Sequence, residues 1–398
     1  MACPRRLIVG PVLGALVAAG ALATPAAATT PHPVSTTTTE VPLSVDPQQP
    51  GTPAAAPAST ARWQPSAAPT IRTAQVPYTL DAPPVTLGAV ADSTGFAVAG
   101  VVWDDTDDVT VSSVQLRTLT GGTWSDWESI EPEESDQDHG PSAGSRTAGT
   151  DPIAVGEVDR VEVRVVADGT PANARLAVVD PGSSDADDIP VDVPREGGTP
   201  TVLPRSAWGA DESIMTWRPQ PATVQGTVIH HTAGTNDYTP EQVPAILRGI
   251  YTFHAQTNNW GDIGYNFLVD KFGRAWEGRA GGITNATTGA HAFGFNAWTT
   301  GISVMGNYTT APISDAAWDT VADLAAWKLS ERGVDVDGTM TVNGRTYPAL
   351  VGHRDVGVTE CPGDQLYERL DELRAAVGDR QATDHPVVGT SHEADAAA

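Results

Sequence analysis

The chain has 398 residues, a formal net charge of −26 and two lysines, Lys271 and Lys328. This length leaves room for two domains and connecting segments. An acidic surface of this kind repels nucleic acid and anionic membranes at long range, which excludes nucleic-acid binding through a basic patch.

The first 28 residues have the pattern of an export signal. Arg5 and Arg6 supply positive charge, an apolar run follows over 7–22, and three alanines at 26–28 form a cleavage site. The arginine pair also fits twin-arginine export, so the export route stays open. The apolar run is short for a membrane span and is interrupted by glycine and proline. We therefore expect a cleaved signal peptide, a secreted protein and no stable membrane insertion.

The next part of the chain predicts two linkers around an all-β domain. Residues 29–75 are rich in Pro, Ala, Thr and Ser, which predicts an extended, mobile linker. From 76 to 181 the hydrophobic period becomes two, which predicts a small all-β, sandwich-like domain. Residues 182–200 predict a second linker. The segments that carry the period of two are FAVAGVVW, VSSVQLRTL, VDRVEVRVVA and ARLAVVD.

Strands and helices mix from 201 to 380, which predicts an α/β domain, and residues 381–398 predict a disordered tail. A capping box with proline at the first helical position predicts a helix after Thr239. Further helices are predicted to begin at Ser314 and Asp364, the last one ending near Gly378. The predicted strands are TVI before the pair His230-His231, the hairpin GYNFLVD/RAWEGR, the segment TGISVMGNY, and Leu350-Val351 before His353.

Cys361 is the one cysteine that remains after signal cleavage, so it has no partner for a disulfide within the chain. It lies eight residues after His353, and His230 follows an apolar strand far upstream. Two imidazoles and a thiolate form a three-ligand zinc set that leaves one tetrahedral position open for water. A bound water ionises near pH ~7 on such a metal instead of ~15.7. The main chemical alternative is Cys361 as a nucleophile activated by a histidine.

Five stretches then match a known family in its order along the chain. They are RSAWGA, TVIHHTAG, DIGYNFLVDKFGRAWEGR, GAHAFGFNAWTTGISVMGNY and VGHRDVGVTECPGD. The region from about 201 to 380 resembles the peptidoglycan recognition protein and type-2 N-acetylmuramoyl-L-alanine amidase family, which includes bacteriophage T7 lysozyme. The composition, rich in Ala, Thr, Asp and Arg with almost no Lys, suggests an actinobacterial secreted form.

The resemblance implies a mixed β-sheet flanked by helices, with zinc at the floor of a groove that binds peptidoglycan. It implies cleavage of the amide between the lactyl group of N-acetylmuramic acid and L-alanine. By motif position, His230, His353 and Cys361 match the zinc ligands. Tyr265 matches the catalytic tyrosine. Thr359 stands where the phage enzyme has lysine, so a neutral hydroxyl would serve there.

The resemblance also suggests side chains that contact the muramyl-peptide. His231 falls next to the first ligand, in an outer shell or the groove wall, and His291 and Asn296 lie in a glycine-rich segment expected to line the groove. Arg279 would meet a stem-peptide carboxylate or pair with a local acid. Trp124 and Trp127 in the β domain would stack on sugar rings or form a packed corner. The proton donor for the leaving amine is not assigned by motif; Tyr265 through a water, or His291, are the candidates.

These features predict a secreted zinc amidase associated with the cell wall. Two other classes remain open. One is a peptidoglycan-binding recognition protein of the same fold without catalytic activity, although such relatives typically lose the third ligand, and Cys361 is present here. The other is a structural wall protein in which the β domain is the functional part.

Overall fold

The computed structural model of the protein describes residues 33–45, 84–106, 108–133, 147–191 and 200–384. The predicted signal peptide, most of the first linker and nearly all of the tail lie outside the described residues. Within the described part of the chain, no helix is both long enough and apolar enough to cross a membrane.

The N-terminal domain consists of strands, as predicted, and hydrogen bonds join them in one ten-stranded sheet with the central order β1-β10-β3-β9-β4-β5. Its strands are β1 (Thr37–Pro42), β2 (Ser44–Val45), β3 (Val85–Asp104), β4 (Val111–Thr120), β5 (Thr123–Trp124), β6 (Glu128–Ile130), β7 (Pro132–Glu133), β8 (Thr147–Thr150), β9 (Ile153–Ala167) and β10 (Ala172–Asp180).

The central strand β3 is buried on both faces over residues 97–103. Successive side chains of a strand point to opposite faces. Ala97, Ala99 and Val101 accordingly pack in the core of the β domain. Val98 and Val102 instead join a second cluster that contains residues of the α/β domain. The continuous apolar run FAVAGVVW therefore serves two cores, one within the domain and one between the domains.

The first linker prediction differs from the structure at its N-terminal end. Residues 37–42 form strand β1, which pairs antiparallel with β10, from Thr37 opposite Asp180 to Pro42 opposite Arg175. The sequence TTTEVP has little apolar character, so its pattern alone gave no strand signal. Pairing with the edge of a sheet supplies its hydrogen bonds, and that partner is not visible in the local sequence.

The α/β domain has a six-stranded mixed sheet, a two-stranded sheet and helices. Its strands are β11 (Val202–Leu203), β12 (Gly226–His231), β13 (Phe267–Val269), β14 (Ala275–Glu277), β15 (Thr299–Val304), β16 (Thr339–Val342), β17 (Arg345–Pro348) and β18 (Leu350–Gly352). Its helices are α1 (Val243–Thr252), which continues into a π-helical turn (Phe253–Thr257), α2 (Asp315–Ser330), α3 (Asp364–Tyr367) and α4 (Leu370–Asp384).

The six-stranded sheet has the order β11-β14-β13-β15-β12-β18. The pair β13–β14 is antiparallel, and β12 is parallel to both β15 and β18. One core cluster joins this sheet to α2 and α4. Another joins it to α1 and to the β domain, and every residue of α1 is buried. The mixed sheet flanked by helices confirms the predicted fold class.

The helix starts follow the predicted capping signals. Gln242 accepts a hydrogen bond from the Thr239 amide, and the Ser314 hydroxyl accepts one from the Ala317 amide. The last helical region differs from the prediction, because it divides into α3 and α4 and continues past Gly378 to Asp384. Its final turns are held by tertiary contacts, since Gln381 donates to the Val334 carbonyl and Arg380 pairs with Asp319.

The second predicted linker is also partly ordered. Asp187 lies in a 3₁₀ turn (Asp185–Asp187), and both its carboxylate oxygens accept hydrogen bonds from Arg248 of α1 at 2.8 Å. The same guanidinium donates to the carbonyls of Pro181, Gly182 and Trp208. A buried arginine with this many acceptors holds the connecting segment firmly against the α/β domain.

Candidate metal centre

His230 and His353 leave neighbouring parallel strands at the same level. In β12 and β18, Ile229 pairs with Gly352, so the next residue on each strand is one of the two histidines. Parallel strands end at the same edge of a sheet, and the two imidazole centroids lie 4.5 Å apart. Strand register therefore brings these two side chains together.

Cys361 reaches the histidines from the loop that follows His353. The Arg354 amide donates to the Cys361 carbonyl at 2.9 Å, which closes this loop on itself. The thiol Sγ lies 3.7 Å from Nδ1 of His230 and accepts a hydrogen bond from the His231 amide at 3.3 Å. The three residues predicted as metal ligands are thus brought together in one cluster, in which His230 and Cys361 are buried and His353 is half-buried.

The cluster fits a zinc ion by geometry and by donor type. The ligand atoms of His230, His353 and Cys361 all lie within 4.8 Å of one another. Ligand atoms on a tetrahedral zinc are separated by about 3.3–3.6 Å, given bond lengths of about 2.0–2.3 Å. Small movements of the side chains would therefore close the set around an ion. Two neutral imidazoles and a thiolate are also the ligand types that zinc prefers.

Burial keeps the histidines of the cluster neutral. It lowers the pKa of His353 to about 4 and that of His231 to about 3, with the nearby Arg354 adding to the effect on His231. Burial also lowers the pKa of His230 well below its usual range, and the neighbouring histidines lower it further. A metal ligand must be deprotonated, so these directions favour metal binding near neutral pH.

His291 fixes the orientation of His230. Its Nδ1 lies 3.0 Å from Nε2 of His230, which leaves Nδ1 of His230 facing Cys361. The His291 ring fits here because Gly301 has no side chain: a Cβ on that glycine would lie 2.4 Å from the ring. Ligating histidines usually use their second nitrogen in such a contact, which orients the ring.

Tyr265 lies beside the cluster, as its predicted role requires. Its ring centroid is 5.4 Å from that of His230, and the side chain is 5% exposed. Its hydroxyl donates to Oδ1 of Asp151, a residue of the β domain, at 3.4 Å. Behind it, the Gly264 amide donates to Nδ1 of the buried His254. The turn that presents the phenol is thus held from within the domain.

A groove of about 420 Å³ opens above the cluster. The α/β domain contributes both the floor and one wall, including His231, Tyr265, His291, Phe293, His353, Thr359 and Cys361. The β domain contributes the opposite wall with Glu128, Ser129, Ile130, Glu131, Pro132, Asp151 and Ile153. The two domains therefore share one groove.

Glu131 connects the two walls. Its Oε2 accepts a hydrogen bond from the Thr359 hydroxyl at 2.8 Å and another from the Glu360 amide at 2.7 Å. The Thr359 oxygen in turn accepts from the Cys361 amide at 3.0 Å. Thr359 thus lies next to the third predicted ligand, and the proton of its hydroxyl is directed toward the β domain.

Two of the predicted substrate contacts lie outside the set of residues that line the groove. Asn296 is buried, and its Oδ1 accepts from the amides of His291 and Ala292, so it shapes the loop that carries His291. Arg279 is 2% exposed, donates to the Ile263 carbonyl and stacks on Trp217 at 4.0 Å. His231 and His291 do line the groove, and Nδ1 of His231 accepts from the Tyr308 amide.

The two tryptophans considered as a sugar platform are stacked against arginines. Arg117 lies 4.6 Å from the ring centroids of both Trp124 and Trp127, and Arg164 lies 4.7 Å from that of Trp127. These cation–π contacts occupy ring faces that a sugar would need. The arrangement fits the packed-corner interpretation.

Glu131 and Asp151 also line the groove, although no motif in the sequence marks them as site residues. Both belong to the β domain, far from the motifs in sequence. Glu131 lies between the short strands β6 and β7, and Asp151 follows β8. Acidic residues beside short strands form no sequence pattern that is distinctive of a functional site. Only the docking of the two domains brings these carboxylates to Thr359 and Tyr265.

The structure thus has an α/β domain in which two histidines and a cysteine lie together beside a groove, and the sequence comparisons show its family. Residues 220–364 match the family described as N-acetylmuramoyl-L-alanine amidase. Residues 50–186 match the family described as Rv3811 N-terminal galactose-binding domain-like.

The relatives identify the family. Peptidoglycan-recognition protein SC2 of Drosophila simulans is 34% identical over 170 residues, which cover 43% of this chain and 84% of that protein. The human N-acetylmuramoyl-L-alanine amidase is 34% identical over 181 residues, 44% of this chain and 28% of that protein. A solved structure of peptidoglycan recognition protein-LE in complex with tracheal cytotoxin is 29% identical, covers 43% of this chain and 92% of that chain, and has a TM-score of 0.37. The chain belongs to the peptidoglycan-recognition protein and N-acetylmuramoyl-L-alanine amidase family.

Proposed function

We propose that the protein is a secreted, zinc-dependent N-acetylmuramoyl-L-alanine amidase that hydrolyses the lactyl–L-alanine amide of peptidoglycan. The observation that carries this proposal is the cluster of His230, His353 and Cys361, of which His353 and Cys361 line a groove, with Tyr265 beside it. Export is proposed from the signal pattern of the first 28 residues.

The ligand set supports a metal-assisted mechanism. His230, His353 and Cys361 would hold the zinc, which when bound supplies an activated water and polarises the amide carbonyl. His291 keeps the His230 ring in its ligating orientation through the 3.0 Å contact between their nitrogens. Because the His230 ring and the Cys361 thiol are buried and both histidines follow strand ends, little reorganisation is needed when substrate arrives.

The groove hydroxyls supply hydrogen bonds to the reacting carbonyl. Tyr265 and Thr359 each carry one proton, and in the substrate-free protein these protons are donated to Asp151 and Glu131. The carbonyl oxygen of the substrate must replace these carboxylates as the hydrogen-bond acceptor before either hydroxyl can donate to it. Hydrolysis adds water across the amide and yields a lactyl carboxylate and a free L-alanine amine, so one proton must reach the leaving nitrogen. Tyr265, through a water, and His291 are both close enough to the cluster to deliver it.

Peptidoglycan as the ligand rests on the relatives and on the groove. The similar fly protein is named for peptidoglycan recognition, and the similar solved structure holds a monomeric diaminopimelic acid-type peptidoglycan. The groove volume is in the range of sites that bind compact ligands of several hundred daltons. Its lining combines the exposed Phe293 with polar groups such as His231 and Asn307, which suits a peptide attached to a sugar.

The second candidate function is peptidoglycan binding without catalysis. The family match alone does not separate the two, since the relatives include proteins named for recognition and proteins named as amidases. The full ligand set, together with Tyr265, favours the enzyme. A binding protein would have no need for a buried thiolate at the groove floor.

Mass spectrometry of purified cell-wall digests tests the proposal. With zinc present, we expect free stem peptides beginning with L-alanine and glycan strands that have lost them. Treatment with a chelator should abolish both products, and added zinc should restore them. Digestion that survives chelation but is lost on thiol alkylation would point to Cys361 as a nucleophile instead. Wall binding without any released peptide would favour the recognition protein.

A further inference from the structure

The β domain contacts the loop that carries the third ligand at a defined point. Residues 354–361 form this loop, and Val358 within it is 84% exposed. The loop is closed internally by Arg354, whose amide donates to the Cys361 carbonyl and whose guanidinium donates to the Glu360 carbonyl. On its outer side, the contact is with Glu131 of the β domain.

The contact has the form of a relay that ends on Cys361. The Cys361 amide donates to the Thr359 oxygen at 3.0 Å, and the Thr359 hydroxyl donates to Oε2 of Glu131 at 2.8 Å. The Glu360 amide donates to the same carboxylate oxygen at 2.7 Å. Hydrogen bonds to a carboxylate are shorter and stronger than those between neutral groups. Glu131 therefore restrains the backbone on the N-terminal side of Cys361.

Glu131 itself is held by the β domain. It lies between β6 and β7, and Ile130 next to it is buried in the core of the β domain. That domain is joined to the α/β domain through α1, by the cluster that contains Val98 and Val102. The carboxylate is therefore fixed to the α/β domain along a route independent of the loop it holds.

We propose that Glu131 is a positioning residue of the metal centre: the β domain uses it to hold the Cys361 loop in the geometry that binds zinc. Groups that orient metal ligands typically contribute 10- to 100-fold in affinity when they contact the ligand directly. Glu131 acts through Thr359 and is exposed to water. The expected contribution is therefore about tenfold, at the lower end of that range.

The positioning role of Glu131 can be tested without any substrate. The measured quantity is the rate at which the purified full-length protein releases zinc to an excess of chromogenic chelator. Glu131→Ala should release zinc about tenfold faster than the wild type. Glu131→Gln keeps an oxygen acceptor and should recover part of the loss. In a Thr359→Val background only the Glu360 amide still donates to Glu131, so adding Glu131→Ala should accelerate release by less than it does in the wild type.

Glu128→Ala is the matched control. It removes the same charge from the same groove wall, and Glu128 accepts from Asn307 at 3.4 Å instead of from the Cys361 loop. Release from this variant should stay at the wild-type rate. Equal acceleration in Glu128→Ala would mean that loss of negative charge is the cause, and an unchanged rate in Glu131→Ala would mean that the loop needs no such anchor. Either result overturns the inference. Circular dichroism of each variant checks that the fold is kept.

The inference rests on the metal centre of the proposed function but fails separately from it. Faster zinc release in Glu131→Ala, in a protein that cuts no wall amide, would uphold the positioning role and remove the proposed activity. Normal zinc release in Glu131→Ala, in a protein that cuts the amide, would remove the positioning role and uphold the proposed activity. A wild type that binds no zinc would remove both.

Discussion

The two walls of the groove are built in different ways. His230 and His353 are placed by the register of adjacent strands in one sheet; the side chain of His230 is buried and that of His353 is half-buried. Glu131 and Asp151 come from another domain and reach partners 228 and 114 positions away in sequence. We call the side of the groove with His230, His353 and Cys361 the metal wall, and the side with Glu131 and Asp151 the acidic wall. The metal wall depends on strand pairing within one domain, whereas the acidic wall depends on how two domains dock.

This difference separates what each wall can contribute. Buried ligands on strand ends need little reorganisation and give a centre of fixed geometry. Glu131 is exposed and Asp151 is half-buried, so these carboxylates can exchange partners with a ligand at lower cost, because water replaces the lost hydrogen bonds. Changes in the metal wall should therefore have the largest effects on metal binding and catalysis. Changes at Glu131 should have a smaller effect on metal binding, and changes at the apolar junction between the domains should mainly affect stability.

The largest effect is expected for Cys361→Ser. Loss of an outer-shell group costs about 10- to 100-fold in metal affinity, so loss of a ligand should cost more than about 100-fold. Amide cleavage should fall by at least the same factor. Metal analysis of the purified variant and release of L-alanine amino termini from walls provide the two measurements. A variant with a normal rate of release would contradict the assignment of the metal wall.

Tyr265→Phe should lower turnover by about 100-fold, the typical cost of one lost donor to a developing oxyanion. Zinc content should stay at the wild-type value, because the phenol is not a ligand. Steady-state kinetics on a soluble muropeptide, together with metal analysis, checks both points. Tyr347→Phe is the control, since that ring packs against Phe295 away from the groove. Loss of zinc in Tyr265→Phe would remove its proposed role as a donor.

His254 predicts a dependence of stability on pH. Burial, with a smaller effect from Arg279, lowers the pKa of His254 to about 3. Below pH ~6.5 the unfolded chain gains a proton at this site that the folded protein does not, so stability falls as the pH decreases toward 3. From pH 7 to pH 5, this residue should account for a loss of about 2 kcal/mol in the free energy of unfolding.

Urea unfolding of the zinc-free protein at the two pH values measures this loss. Other buried histidines contribute as well, so the informative quantity is the difference between wild type and His254→Asn. The asparagine oxygen can still accept from the Gly264 amide, which His254 binds at present. An equal pH dependence in both proteins would show that His254 is not held neutral.

The smallest effect, a change in the free energy of unfolding, is expected at the junction between the domains. A Cβ on Gly249 of α1 would lie 2.3 Å from Cγ2 of Val98 in the β domain. Overpacking costs about 1–3 kcal/mol, and the gain in helix propensity returns about 1 kcal/mol. Gly249→Ala should therefore lower the free energy of unfolding by about 1 kcal/mol.

Two further variants make this measurement specific. Gly378→Ala in α4 meets Val336 at an ordinary 3.5 Å, so it should stabilise the protein slightly. Val98→Ala should remove most of the penalty of Gly249→Ala, giving a double-mutant coupling of about 1–2 kcal/mol. Additive effects would show that this helix and strand are not in close contact.

The sequence allowed the metal wall to be predicted because its signals are local. An apolar strand ending in a histidine pair, and a cysteine shortly after a second such strand, place chemistry at strand ends. The acidic wall could not be predicted, since its position is set by apolar contacts such as Val98 against Gly249. Arg279 shows the same limit: its motif left open a contact with a stem-peptide carboxylate or with a local acid, and in the structure a tertiary neighbour, Trp217, covers it.

The N-terminal segment has a consequence for the order in which the chain folds. Residues 33–45 contact both domains, since Val34 donates to the Gly209 carbonyl, the Thr36 hydroxyl lies 2.9 Å from that of Thr252, and β1 pairs with β10. Apart from β2, which pairs with Leu87 and Gly88 of β3, the hydrogen-bond partners of this segment are synthesised more than a hundred residues later. Closing such long loops is entropically costly and slows folding. The first part of the described chain to be synthesised should therefore be the last to dock.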